Sequence, residues 1–204
     1  MWTRAVRATA GLAVLAAGAV LGGCLGDRAP SDSFYALDTG DPGRRYGSPL
    51  LDGPVEVARF QTAGVLGQRA IVYSDGDGPR RQRYGYHLWL DPVGIAVRDG
   101  FLNALRRSGA APRAAGSGAR VDAAYRLRGR VTELYHARGG RDAAVVGLEV
   151  TLSPAAGGRP LVVDHYRARV ATPTPDVEGA ARAAGDALTR IAGRFLDDLA
   201  QQRQ

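Results

Sequence analysis

Between Val177 and Leu199 the apolar residues Val177, Ala181, Ala184, Leu188, Ile191, Phe195 and Leu199 recur at spacings of three and four. On a helix with about 3.6 residues per turn they form a single stripe. Such a stripe must be buried, so the rest of the chain has to offer this helix an apolar surface. Asp176 stands at the N-cap position after Thr172-Pro173-Thr174-Pro175, and the helix is predicted to run to about Gln201. The preceding segments can supply the surface. Residues 124–135, 143–152 and 161–170 alternate apolar and polar positions, the period of a half-buried strand. In the first, Tyr125, Leu127, Gly129, Val131 and Glu133 share one face and arginines the other. In the second, Val146, Leu148, Val150 and Leu152 face inward. The connection over residues 154–160 is rich in Gly and Pro, so the three strands should form an antiparallel meander.

Further strands are predicted over residues 34–37, 55–60, 69–73 and 83–89, with an irregular Gly- and Pro-rich loop over 38–54. Asp91-Pro92 reads as a helix start, with Asp at the N-cap and Pro at the first helical position. This helix should end at Ser108-Gly109, burying Val93, Val97, Phe101 and Leu105 together with Ile95 and Leu102. Residues 110–119 read as a low-complexity Ala/Gly linker. The expected fold is α+β: a mixed, largely antiparallel sheet covered by two main helices.

Arg4 and Arg7 precede an uncharged run over residues 8–20, and Leu21-Gly22-Gly23-Cys24 follows. The run is short of the roughly 20 apolar residues that a spanning helix needs, so it reads as an export signal. Small residues before a lone cysteine resemble the lipobox of bacterial lipoproteins. That resemblance implies cleavage between Gly23 and Cys24, a diacylglyceryl thioether on Cys24, and a fatty acyl chain such as palmitate on the new amino terminus. The expected organisation is a signal peptide over 1–23, a lipidated tether over 24–33 and a periplasmic domain over 34–204. Cys24 is the one cysteine, so no internal disulfide can form and the domain must rely on its own core. Residue 25 is Leu rather than the Asp that retains lipoproteins in the inner membrane of enteric bacteria, which favours the outer membrane.

No catalytic pattern stands out. His87, His136 and His165 lack metal-ligand spacing, and there is no G-x-S-x-G elbow, phosphate loop or dinucleotide motif. The acidic turn over residues 74–79 lacks the spaced ligands of a calcium loop. Asp164 and His165 adjoin on a strand and point to opposite faces, although a triad assembles in space rather than in sequence. The expectation is therefore a protein without enzyme activity, metal or cofactor. The formal net charge of +7 suits acidic partners, but an exported lipoprotein does not meet nucleic acid. Anionic lipid head groups suit better, though the arginines are scattered along the chain. Tyr84, Tyr86 and Trp89 are the most unusual cluster. Alternation puts Tyr84, Tyr86 and Leu88 on one face and Trp89 on the other. They read either as a core corner or as a contact patch for a partner or lipid.

The order of elements resembles a known family. The lipobox is followed by Phe34-Tyr35-Ala36-Leu37, Val55-Glu56-Val57, Ile71-Val72-Tyr73 and Tyr84-Gly85-Tyr86-His87-Leu88-Trp89. An amphipathic helix, Tyr125-Arg126-Leu127-Arg128-Gly129-Arg130-Val131, a hairpin and a C-terminal helix complete it. This resembles the PqiC-like ABC-type transport auxiliary lipoproteins. The resemblance implies an auxiliary or docking component of an Mce-type system moving lipids between membranes. The implied partners are an Mce-domain periplasmic protein with an inner-membrane permease and ATPase, and further copies of the chain in a homo-oligomer ring. Two alternatives stand beside it. One is an assembly or pilot lipoprotein for lipopolysaccharide insertion or a secretin; the other is a lipid-anchored hydrolase using Asp164 and His165.

Overall fold

The structure, a computed structural model, describes residues 30–202 apart from Asp77 and Arg120. The signal peptide, Gly23, Cys24 and the tether up to residue 29 lie outside the described residues. The chain divides into two units, Met1–Ser31 and Asp32–Gln204, and the fold is that of the second.

Its described residues form one mixed sheet of eight strands and two helices. The strands are β1 Ser33–Tyr35, β2 Val55–Val57, β3 Ala70–Asp75, β4 Gln82–Trp89, β5 Ala114–Gly116, β6 Tyr125–Arg138, β7 Ala143–Pro154 and β8 Val162–Ala171. The helices are α1 Val93–Ser108 and α2 Val177–Gln201. The long ladders, β6 with β7 and β7 with β8, form the expected antiparallel meander. On its other side β6 takes β2 along its first half and β3 along its second, both parallel. Then β5 pairs with β2, β4 with β3, and β1 with β4.

The predicted stripe of α2 covers β6, β7 and β8, and α1 packs beside it against β2 and β5. Ala183, Ala187, Leu188, Ile191, Phe195, Leu196 and Leu199 are almost fully buried against Val146, Leu148, Val150 and Leu152. The Asp176 carboxylate accepts the backbone N–H of Gly179 at 2.6 Å, which is the expected N-cap. At the centre Phe101 stacks on Phe60 at 5.2 Å and meets Phe195 edge-on at 5.4 Å. The irregular loop after β1 crosses α2 where Gly185 faces it. A Cβ there would stand 2.0 Å from the Asp38 carbonyl oxygen, so only glycine lets the backbones meet.

Three expectations are corrected. Asp91 does not cap α1: Pro92 is the N-cap, with no side-chain cap, and its carbonyl accepts from Ile95 and Ala96. Asp91 stands one residue too early to reach the first turn. The segment 110–119 is no linker, because β5 pairs with β2 and Ala110, Ala111, Ala114 and Ala115 are buried. Alanine is small and apolar, so a compositionally simple stretch can still pack. In β6, Glu133 does not share the face of Leu127. Val131 opposes Leu148 while Glu133 opposes Gly147, so Thr132 is an extra residue, a β-bulge. The bulge reverses the alternation, burying Leu134 and His136. It sends Glu133 to the other face, where its carboxylate accepts from Arg167 at 2.6 Å. The bridge passes over Gly147, whose added Cβ would lie 2.7 Å from the Thr132 hydroxyl and 3.0 Å from Glu133.

Candidate functional site

A second irregularity decides where the aromatic cluster goes. Between the pairs Ala70 with Leu88 and Val72 with Arg83, β3 advances two residues while β4 advances five. The three extra residues are an odd number, so alternation fails across Gly85-Tyr86. Tyr84 and His87 then share a face, with ring centroids 5.6 Å apart. Trp89 is buried on that face, while Tyr86 is exposed on the other. The structure therefore brings Tyr84 and Trp89 into the interior and leaves Tyr86 outside; the three do not form one surface.

Tyr84 belongs to a partly buried polar network. Its hydroxyl is 2.9 Å from His136 Nδ1, and its ring lies against Tyr73 at 4.5 Å. Arg138 covers both rings and donates to Asp75 at 2.5 Å and 2.9 Å. The Tyr35 hydroxyl meets His87 Nδ1 at 2.8 Å. His136 Nε2 lies 3.3 Å from Asp142 Oδ2 without hydrogen-bond geometry. Burial lowers the His136 pKa below its ordinary 6.5 and outweighs the opposing pull of Asp142. Burial likewise raises the Tyr84 pKa. Both groups are neutral at pH 7, so the pair pins β4 to β6 and carries no charge.

The sign of the pH dependence follows. Below about pH 6.5 the unfolded chain binds a proton that the folded imidazole refuses. Stability is full above that value and falls as pH drops toward the lower folded pKa. His136→Gln should therefore lose less thermal stability than the wild type between pH 7.5 and pH 5 in calorimetric scans. Parallel pH profiles for the two proteins would show that His136 does not titrate in this way.

A second group of charged side chains lies elsewhere. A cleft of about 560 Å³ opens between β8 and α2 and is closed by Asp41, Pro42 and Arg44. On β8, Tyr166 and Ala168 turn inward, leaving Arg167 and Arg169 outward; on α2, Arg190 and Arg194 flank Gly193. Arg44 grips Asp197 with two hydrogen bonds, at 2.6 Å and 2.7 Å, and holds its pKa down. Arg167 is committed to Glu133, and Asp41 to Arg45. Arg194 donates to the carbonyl oxygen of Arg167 at 2.6 Å, and Arg169 to that of Arg141 at 3.4 Å. Arg169, Arg190 and Arg194 thus line the cleft, and among the described residues none of them is paired with a carboxylate. Guanidinium groups so placed attract carboxylates or phosphates and accept them in two-point geometry.

The residues considered for hydrolysis are not assembled. Asp164 accepts the backbone N–H of His165 at 2.6 Å, while His165 Nε2 lies 3.2 Å from the Thr132 hydroxyl on the other face. Among the described residues no three His, Cys, Asp or Glu side chains gather to hold a metal ion. No described helix is long and apolar enough to cross a membrane.

Comparison with known proteins adds what geometry alone does not. The model of the family described as the ABC-type transport auxiliary lipoprotein component matches residues 35–194. The chain belongs to this ABC-type transport auxiliary lipoprotein family. The match runs from the end of β1 through most of α2. No curated protein matches the chain. A crystal structure of a Xanthomonas campestris protein of the DUF330 family is similar, with TM-score 0.70 and 19% identity, covering 80% of this chain and 92% of that one. An uncharacterized protein is similar with TM-score 0.62 and 14% identity, covering 86% of this chain and all of the other. Both likenesses concern the fold.

In this auxiliary lipoprotein the arginine cleft is the feature that sequence reasoning missed. Arg190 and Arg194 are one helical turn apart, and Arg167 and Arg169 share a strand face, which are legible signals. Nothing local joins the two pairs, or brings Arg44 to them.

Proposed function

We propose that this protein is the lipid-anchored periplasmic docking component of an Mce-type ABC transport system that moves lipids between membranes. Cys24 carries the lipid at the outer membrane, and the domain meets an Mce-domain protein whose permease and ATPase lie in the inner membrane. The protein acts by binding, not by catalysis, and further copies of it complete a ring through contacts between domains. The observation that carries the reading is the family match over nearly the whole described domain. The basic start, apolar run and Gly22-Gly23-Cys24 support the anchor, and Leu25 supports sorting to the outer membrane. The tether over residues 25–33 extends at most roughly 30 Å at ~3.3 Å per residue, which keeps the domain close to its membrane. Arg169, Arg190 and Arg194 suit an acidic surface on the partner.

Affinity purification of the full-length protein from crosslinked, detergent-solubilised membranes tests the reading. Mass spectrometry should recover an Mce-domain protein together with a permease or ATPase. Recovery of an outer-membrane barrel or a secretin alone would overturn it in favour of an assembly or pilot role.

A further inference from the structure

The described residues expose four large hydrophobic side chains: Phe34 at 51%, Tyr86 at 46%, Leu90 at 52% and Val163 at 69%. Three of them gather at one place. Phe34 on β1 lies directly opposite Leu88 on β4, so both project from the same face. Tyr86 precedes the inward-facing His87 and is exposed on that outer face. Leu90 follows the buried Trp89 and donates its backbone N–H to the Tyr35 carbonyl oxygen at 2.7 Å, which holds it beside β1. Phe34, Tyr86, Leu88 and Leu90 therefore form one apolar face at the open edge of the sheet, since β1 pairs with β4 alone.

This face is stiffened from beneath. Arg69 donates to the Trp89 and Leu90 carbonyl oxygens at 2.8 Å and 2.6 Å, and its guanidinium lies 5.3 Å from the Phe34 ring centre. Arg83 beside it donates to Gln68 at 2.6 Å. The side chains are thus presented, not left over from a packing defect. An aromatic ring, a tyrosine, leucines and arginines that keep their heads wet match the interface between water and hydrocarbon.

The chain itself points to the occupant. Phe34 lies ten residues after Cys24, a distance of at most roughly 33 Å fully extended. The apolar face thus begins where the tether ends. It is also small: four side chains fall far short of the roughly 20–30 residues a side that a stable protein interface uses. Asp32 and Asp91 adjoin Phe34 and Leu90 in sequence and match the charges of Arg69 and Arg83 in number, so apolar contact rather than net charge would drive binding.

We propose that Phe34, Tyr86, Leu88 and Leu90 are a membrane-contact face, through which the domain rests on the bilayer that holds its anchor. The proposal rests on the lipid-anchor reading of Cys24. It fixes the orientation of the domain: the β1–β4 edge lies on the lipid, and the helices and the arginine cleft remain open to a partner.

The test uses the full mature lipoprotein reconstituted in vesicles of phosphatidylethanolamine and phosphatidylglycerol brominated high on the acyl chain. Phe34→Trp and Leu90→Trp place fluorophores in the face, and Val163→Trp places a control on β8. Emission from the native buried Trp89 is subtracted using the unsubstituted protein. Quenching at the two face positions should exceed that at the control at least threefold. Intact-mass measurement on the same sample reports the lipid on Cys24. An anchored protein with equal quenching at all three positions overturns the contact face and leaves the anchor intact. A protein without the Cys24 adduct overturns the anchor and the contact face together.

Discussion

Replacing Cys24 with serine, in a chain exported by an ordinary cleavable secretory leader, should move the protein from the membrane pellet to the soluble periplasmic fraction. The expected shift is at least tenfold. Each methylene buried in a bilayer contributes about 0.8 kcal/mol, and a single acyl chain gives only marginal, reversible binding. Several chains on one residue make attachment effectively permanent, and the serine form has none. The contact face proposed for Phe34, Tyr86, Leu88 and Leu90 is too small to hold the domain alone, so a residue of weak binding at most should remain. Fractionation and immunoblotting read the result, and the intact mass of the wild type should correspond to a chain that begins at Cys24 and carries its lipid. A serine form that stays in the pellet would place the anchor elsewhere in the chain.

Phe101→Ala should be the most damaging single substitution within the domain. Phe101 is fully buried, stacked on Phe60 and edge-on to Phe195, and it joins α1 to both the segment before β3 and α2. Removing a buried phenyl ring typically costs about 3–5 kcal/mol, through lost transfer energy and the cavity left behind. For a domain of this size each kcal/mol lowers Tm by roughly 2–4 °C, so a drop of roughly 6–20 °C is expected. Phe34→Ala is the control: Phe34 is half exposed, and its loss should change stability by less than about 1 kcal/mol. Scanning calorimetry of the two variants separates them. Equal shifts would mean that the phenylalanine cluster does not hold the two helices to the sheet.

The candidate surfaces were legible to unequal degrees. Tyr86 was singled out by its unusual neighbours, and the structure leaves it exposed. Its companions Tyr84 and Trp89 went to the interior, because the bulge in β4 adds an odd number of residues and reverses alternation. A strand sequence shows where alternation would fall, but not where a partner strand forces an insertion. The extra residue Thr132 in β6 misplaced Glu133 for the same reason. The arginine cleft escaped notice for a different reason. Its members come from residue 44, from β8 and from α2, and only the packing of α2 against the β8 edge brings them together.

Local periodicity determined the α+β class, the β6–β8 meander and the Asp176-capped helix that covers it. Each depends on residues within a turn or a strand of one another, where chain geometry leaves little choice. The leader ending at Cys24 is an expectation of the same local kind, because export signals act as linear segments. The tertiary structure decided what depends on contacts between distant segments. It placed β2 and β3 end to end along one edge of β6 and turned an alanine-rich stretch into a buried strand. It also chose which face each side chain occupies beyond a bulge. Hydrogen-bond pairing between strands and close approach of backbones set these outcomes, and a sequence does not state which distant residues will meet.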